Sequence, residues 1–356
     1  MYLGEQFNLN ESDINIGGNM KKRMFALLLG LYLGGVCFMG NVQTVRAEEP
    51  ATVTAEPQGI EIDPATGQLV GLVPCNDCYT ITRDTQVYLL PGTAHQPLGV
   101  LKKGQPALAL GSRDGWYQIY FRGMIGYIPG DATGSYQIPA AVNGVKKELL
   151  QGEIKLNLLG DSITYGDKIA DNNRIYATLL AQRCNAVKTN NYGWNGSAIG
   201  GSHPDRFIDR YPLMDPDANL ILVFGGTNDY KGAGKDGTPL GVMGDATPTT
   251  FYGALNLLMC GLKQMYPDAQ IVFVTPLKRV GYLRKNKQGA YLNQYVLAIH
   301  EMAGFYGIPV IDLFEEPELD FSSMQAAYLV DGLHPNEKGH ALIAANLYRK
   351  LFLTEP

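Results

Sequence analysis

The chain has little cysteine, little tryptophan and no excess of basic charge. Five cysteines in 356 residues are too few for a disulfide-built scaffold. Lys plus Arg number 29 against 34 Asp plus Glu, a net charge of -5, which removes the basic face that nucleic-acid binding needs. No heptad array, collagen triplet or solenoid repeat is present. No Gly-x-Ser-x-Gly elbow of the α/β-hydrolase type occurs, and no phosphate-binding or dinucleotide fingerprint follows a strand. "CNDC" (Cys75–Cys78) lacks the second ligand pair that a zinc site requires and the βαβ context of a redox pair. A Cys75–Cys78 disulfide or two idle thiols are the readings left, while Cys184 and Cys260 sit in apolar helical patterns and read as core. No metal-ligand cluster is visible, and no cofactor is expected. What remains, 46% hydrophobic residues, fits one large globular domain plus a small one.

Only one run is apolar enough to enter a membrane. Lys21, Lys22 and Arg23 precede the stretch Met24 to Met39, and Val45 and Ala47 offer a small-residue cleavage site before Glu48. That is the layout of a secretory signal peptide; an uncleaved anchor is the rival reading. Bulky Val36 argues against a lipoprotein site at Cys37, and translation is expected to begin at Met20. Residues 1–47 are therefore read as an N-terminal extension and signal peptide. The expected location is secreted or in a bacterial cell envelope, with membrane contact only through the signal segment if it is uncleaved. Residues 48–73, rich in Pro, Thr and Glu, read as an extended linker.

From Tyr79 the texture changes to short alternating strands between Gly-containing turns, the pattern of a small all-β barrel over 74–138. The hairpin "GVLKKGQ", the strand "RDGWYQIYF" and the closing "GMIGYIP" resemble a bacterial Src-homology-3-like domain. That resemblance implies attachment to a cell-wall polymer or a spacer role; the plainer reading of Trp116 and Tyr127 is barrel core.

From residue 150 to 356, strands alternate with helices. "IKLNLL", "NLILVF", "QIVFVT" and "IPVIDL" are short and apolar, as strands buried on both faces are. Between them lie "GALNLLMCGLKQM", a stripe through Leu292, Val296, Ile299 and Ala303, and a last helix expected to start with Pro335. This alternation predicts an α/β fold, a parallel sheet with helices on both faces, whose ligands bind beyond the carboxyl ends of the strands.

Four small polar clusters follow strands: Gly160-Asp161-Ser162, "YGWNGSAIGG" after a weaker strand around 186–191, "GGTNDY" with Asn228, and "DGLHPNEKGH" with Asp331 and His334. Taken alone, Ser162 is a good helix N-cap. The four blocks in this order, however, resemble the SGNH (GDSL) hydrolase family over about Ile154 to Phe352. The resemblance implies a three-layer, flavodoxin-like sheet and a metal-free serine mechanism. In it Ser162 is the nucleophile, His334 the general base and Asp331 the acid that orients the imidazole. Gly196 and Asn228, with the N–H of Ser162, form the oxyanion hole. Gly193 is the alternative to Gly196, and Asp161 is expected to shape the turn. His203 reads as a loop residue, and His300 and His340 show no partner in the sequence.

The resemblance leaves the ester open. Export plus a wall-type barrel favours removal of an acyl group, acetyl foremost, from cell-envelope or extracellular glycans. The partners are then an acylated glycan or small ester at the site and a wall polymer on the barrel, with no nucleic acid. A lipase or lysophospholipase, or a non-catalytic wall-binding protein, is the alternative. Two loops are candidates for specificity: residues 229–250, and the basic "LKRVGYLRKNK" with Lys278, Arg279, Arg284, Lys285 and Lys287, read either as recognising an anionic polymer or as a solvated run.

Overall fold

The computed structural model describes residues 59–63, 69–140, 145–203, 205–232 and 237–353. The signal segment, Cys37 and much of the 48–73 stretch lie outside the described residues. Among the described residues no helix is long and apolar enough to cross a membrane.

Eight short strands form the first unit: β1 (Val73–Pro74), β2 (Cys78–Ile81), β3 (Thr85–Tyr88), β4 (Pro97–Leu101), β5 (Pro106–Arg113), β6 (Trp116–Phe121), β7 (Met124–Pro129) and β8 (Thr133–Ser135). They pair antiparallel in the order β4-β3-β7-β6-β5-β2-β8, with β1 added to β5. Alternate side chains such as Val87, Ile119, Phe121 and Ile128 close a small core. Cys75 and Cys78 are free thiols, so the disulfide reading gives way to that of two idle thiols. Trp116 and Tyr127 are only 2% and 4% exposed, because Ile60, Leu69 and Leu72 pack over them. Arg113 fixes that covering by donating to the Val70 and Gly59 carbonyls at 2.5 and 3.2 Å. The described part of the expected linker therefore lies on the β unit, held by the apolar face of an otherwise exposed indole.

The second unit is a parallel sheet of β9 (Lys155–Gly160), β10 (Lys188–Gly193), β11 (Leu220–Phe224), β12 (Gln270–Val274) and β13 (Val310–Ile311), in the order β10-β9-β11-β12-β13. Its helices are α1 (Ser162–Tyr165), α2 (Tyr176–Arg183), α3 (Phe207–Arg210), α4 (Thr227–Lys231), α5 (Phe251–Met265), α6 (Leu292–Tyr306), α7 (Gln325–Tyr328) and α8 (Glu337–Tyr348). Strand residues alternate between two cores. Leu159, Ile221, Val223 and Phe273 pack with α5 and α6, whereas Leu156, Leu158, Leu222 and Val272 pack with α2 and α8. Edge strand β10 is polar and has no fully buried residue, unlike the apolar central strands. Helix α8 starts at Glu337 rather than Pro335, because Asn336 caps it by accepting from the Gly339 N–H. Cys260 is fully buried in α5, and Cys184 is half-buried at the end of α2.

The two units are joined along α5. Gln264 donates to the Pro106 carbonyl at 3.1 Å, and Gln105 donates to the Gln264 carbonyl at 3.2 Å. Tyr120 and Tyr136 donate to the Ile208 and Phe305 carbonyls. Leu108 of β5 belongs to the same buried cluster as the side chains of α5.

Within the sheet the chain leaves β9 for β10 on one side and returns to β11 on the other. A parallel sheet opens a crevice at the carboxyl ends of its strands where the order reverses in this way. Ser162 follows β9 and Asn228 follows β11, so both reach that crevice.

Candidate active site

Asp161 follows β9 directly and caps α1: its Oδ1 accepts from the Ile163 N–H at 2.9 Å. The capping role thus falls to Asp161 and leaves the Ser162 hydroxyl to bond elsewhere. That hydroxyl lies 2.9 Å from His334 Nε2, and His334 Nδ1 lies 2.7 Å from Asp331 Oδ2. With Nδ1–H directed at a carboxylate, Nε2 is the acceptor facing the hydroxyl. Asp331 Oδ1 also accepts from the backbone N–H groups of His334 at 2.9 Å and Leu333 at 3.2 Å. Burial alone would raise the Asp331 pKa, but these N–H groups and the imidazole outweigh it and hold the carboxyl at about 2. The loop carrying both residues is closed on itself by Val330 N–H to His334 O at 2.8 Å, and tied to the loop after β12 by Val280 N–H to Gly332 O at 3.0 Å.

Asn228 and Asp229 lie in the first turn of α4, both buried. Asn228 Nδ2 donates to the Ser197 carbonyl at 2.9 Å, which leaves its second amide hydrogen for another acceptor. Asp229 takes the N–H groups of Ile199 and Gly200 at 2.8 and 3.0 Å and the Thr238 hydroxyl at 3.1 Å. Burial nevertheless pushes its carboxyl up to about 6. The 197–200 segment is therefore clamped to α4 by two adjacent side chains. Gly196, at the head of that segment, is exposed and has φ +73°, a left-handed backbone that suits glycine. Gly193 differs: its N–H is taken by Asn191 Oδ1 at 2.8 Å, and a Cβ there would come within 2.1 Å of the Tyr165 nitrogen. It is the packing glycine that lets β10 touch α1.

Three supporting residues went unread in the sequence. Asp229 had a visible signal, standing directly beside Asn228 in "GGTNDY". Thr238 and Arg210 had none, since their partners come from separate segments. Arg210 donates to the Tyr192 and Gly160 carbonyls at 2.5 and 2.9 Å and to the Ser197 hydroxyl at 2.8 Å, joining the ends of β9 and β10 to the clamped segment.

His300 and His340 do have partners. His300 Nε2 meets Asp312 Oδ2 at 2.9 Å, pinning α6 to the segment after β13. His340 Nδ1 accepts from the Tyr176 N–H at 3.1 Å, while its Nε2 is buried with no partner among the described residues. His203 is buried in its loop. The basic run does not form one open patch. Lys278 lies 3.4 Å from Glu315, and Arg279 is turned inward to the Lys231 carbonyl at 3.1 Å and Thr227 Oγ1 at 3.4 Å.

The chain matches a family profile described as the GDSL-like lipase/acylhydrolase family over residues 158–342, more than half its length, and a bacterial SH3 domain profile over 86–133. Among solved structures, a protein from Lactobacillus plantarum is 35% identical with a TM-score of 0.50, the match covering 55% of this chain and 95% of that one. A "possible lipase" from Chitinophaga pinensis is 26% identical (TM-score 0.46, 55% and 96% covered). A lipase/acylhydrolase from Enterococcus faecalis is 21% identical (TM-score 0.42, 55% and 94% covered). Comparison with curated proteins finds no match.

Proposed function

Since the chain belongs to the GDSL-like lipase/acylhydrolase family, we propose that it is an exported serine esterase that removes acyl groups, acetyl foremost, from glycans of the cell envelope or outside the cell. The observation that carries this reading is the continuous chain from Ser162 Oγ through the His334 imidazole to Asp331, with contacts of 2.9 and 2.7 Å. In the proposed reaction, Ser162 Oγ attacks the ester carbonyl carbon while its proton passes to His334 Nε2. Asp331 stabilises the imidazolium without taking the proton. The carbonyl oxygen becomes an oxyanion, met by the N–H groups of Ser162 and Gly196 and the second Nδ2 hydrogen of Asn228. Collapse breaks the bond to the alcohol, which leaves with the proton from Nε2, and the acyl group stays on Ser162. Water then repeats the sequence and releases the acid. No metal or cofactor is required.

In the same reading, residues 150–356 form a three-layer, flavodoxin-like hydrolase domain. Residues 74–138 form a bacterial Src-homology-3-like barrel that holds a wall polymer beside the site. Residues 1–47 contain a cleavable signal. Labelling with a serine-directed phosphonate, abolished in Ser162→Ala, tests the nucleophile. Acetate release from purified wall polymers, compared with an acyl-length series on model esters, tests the substrate. A preference for long acyl chains would replace this reading with that of a lipase, and absence of labelling would leave a binding protein.

A further inference from the structure

A second carboxylate stands close to the His334 imidazole. Asp167 Oδ2 lies 3.7 Å from His334 Nε2, the same nitrogen that lies 2.9 Å from Ser162 Oγ. Its position is set by α1: the Asp167 N–H donates to the Ser162 carbonyl at 2.9 Å, beyond a turn at Gly166 with φ +90°. The side chain is 24% exposed, so it borders both the imidazole and the solvent from which an ester enters. Lys168 Nζ stands 3.3 Å from the same carboxylate oxygen but is itself largely exposed, so a ligand can displace it.

In the proposed reaction, the alcohol oxygen must receive the Nε2 proton and therefore sits within hydrogen-bond reach of Nε2. It is placed next to Asp167. An ionised carboxylate only accepts hydrogen bonds, so the matching feature on the alcohol is a donor close to the esterified oxygen. Tyr165 and Trp194 are 55% and 52% exposed. Their segments meet where a Cβ on Gly193 would touch the Tyr165 backbone, so two exposed aromatic residues belong to the segments that lead into and pack against α1, just before Asp167. A ring with apolar faces and hydroxyls at its edge suits such surroundings.

We infer that Asp167 is a specificity residue for the leaving alcohol, accepting a hydrogen bond from a hydroxyl on the carbon next to the esterified one, as in a partly acylated sugar. This rests on the esterase reading and narrows its substrate to esters of vicinal diols. The test compares kcat/KM of the full chain on 2-hydroxyethyl acetate and propyl acetate, which differ by a hydroxyl in place of a methyl. Wild type should prefer the hydroxyl ester by roughly tenfold, the scale of one hydrogen bond to a charged group. Asp167→Ala should bring the ratio near one, and Asp167→Asn, which keeps an acceptor oxygen, should retain part of it. A wild-type ratio near one, or an equal fall on both esters in Asp167→Ala with the ratio kept, overturns the inference. Phosphonate labelling of Ser162 keeps the two readings apart. A labelled enzyme with no hydroxyl preference loses only the Asp167 inference, whereas an unlabelled, inactive chain loses both.

Discussion

Ser162 Oγ and His334 Nε2 lie 2.9 Å apart although 172 positions separate them in the chain. Ser162 is fixed by the end of a buried strand, and His334 by a closed loop that hydrogen-bonds the loop after β12. The intervening stretch supplies the other strands of the sheet and the loop that holds Gly332, so the pair is preorganised by the sheet.

Replacing Asp331 by Asn keeps the shape, but with the amide oxygen held by the backbone N–H groups of Leu333 and His334 it turns an NH2 donor toward Nδ1, which must itself be an N–H donor. The imidazole then favours the wrong tautomer, and kcat should fall by roughly 10⁴. Steady-state kinetics on a small acetate ester check this. A fall under tenfold would remove Asp331 from the proposed role.

Asn228→Ala removes one proposed oxyanion donor and should cost about 2.7–4 kcal/mol, or roughly 10²–10³ in kcat. The same change frees the Ser197 carbonyl, so the loss should lie toward the upper end. Single-turnover acylation rates, set beside KM, distinguish this from weaker substrate binding.

Asp229→Asn tests the clamp. The carboxylate holds two backbone N–H groups and a hydroxyl in a fully buried place, and an amide can hold only part of that set. A stranded buried donor costs about 1–3 kcal/mol. The expected result is a lower Tm together with a lower kcat and a nearly unchanged KM, because the segment that carries Gly196 loosens. Equal kcat in the two proteins would make the clamp purely structural.

His340 sets part of the acid sensitivity. Burial first, and the charge of His334 second, lower its pKa from 6.5 to about 4. Between those values the unfolded chain holds the proton and the folded chain does not. Its contribution to stability is therefore full above pH 6.5 and lost as pH falls toward 4. His340→Asn retains an acceptor for the Tyr176 N–H and cannot titrate. Denaturant unfolding from pH 7 to 4 should show a shallower loss of stability in the variant; parallel curves would refute this account.

Much of this architecture was legible because its signals are local. The apolar strands β9, β11 and β12 and the blocks around Ser162, Asn228 and His334 each fit within ten residues, and the structure brings those blocks to one crevice. What stayed hidden depends on distant partners. His300 with Asp312, and Arg210 with three separate segments, become neighbours only through the packing of helices on the sheet. The start of α8 was misplaced because Pro335 and Asn336 both favour a helix start, and the side-chain acceptor of Asn336 prevailed.

The seam along α5 bears on how the protein can be cut. Gln264 is fully buried with its amide committed to Pro106, and Leu108 shares a core with α5. A fragment starting near residue 145 would expose a helix whose polar and apolar groups were both selected to meet β5. Such a fragment should precipitate or partly unfold when produced alone. The β unit is a wall of the hydrolase, and a shortened version will need a redesigned α5 before it needs a new substrate.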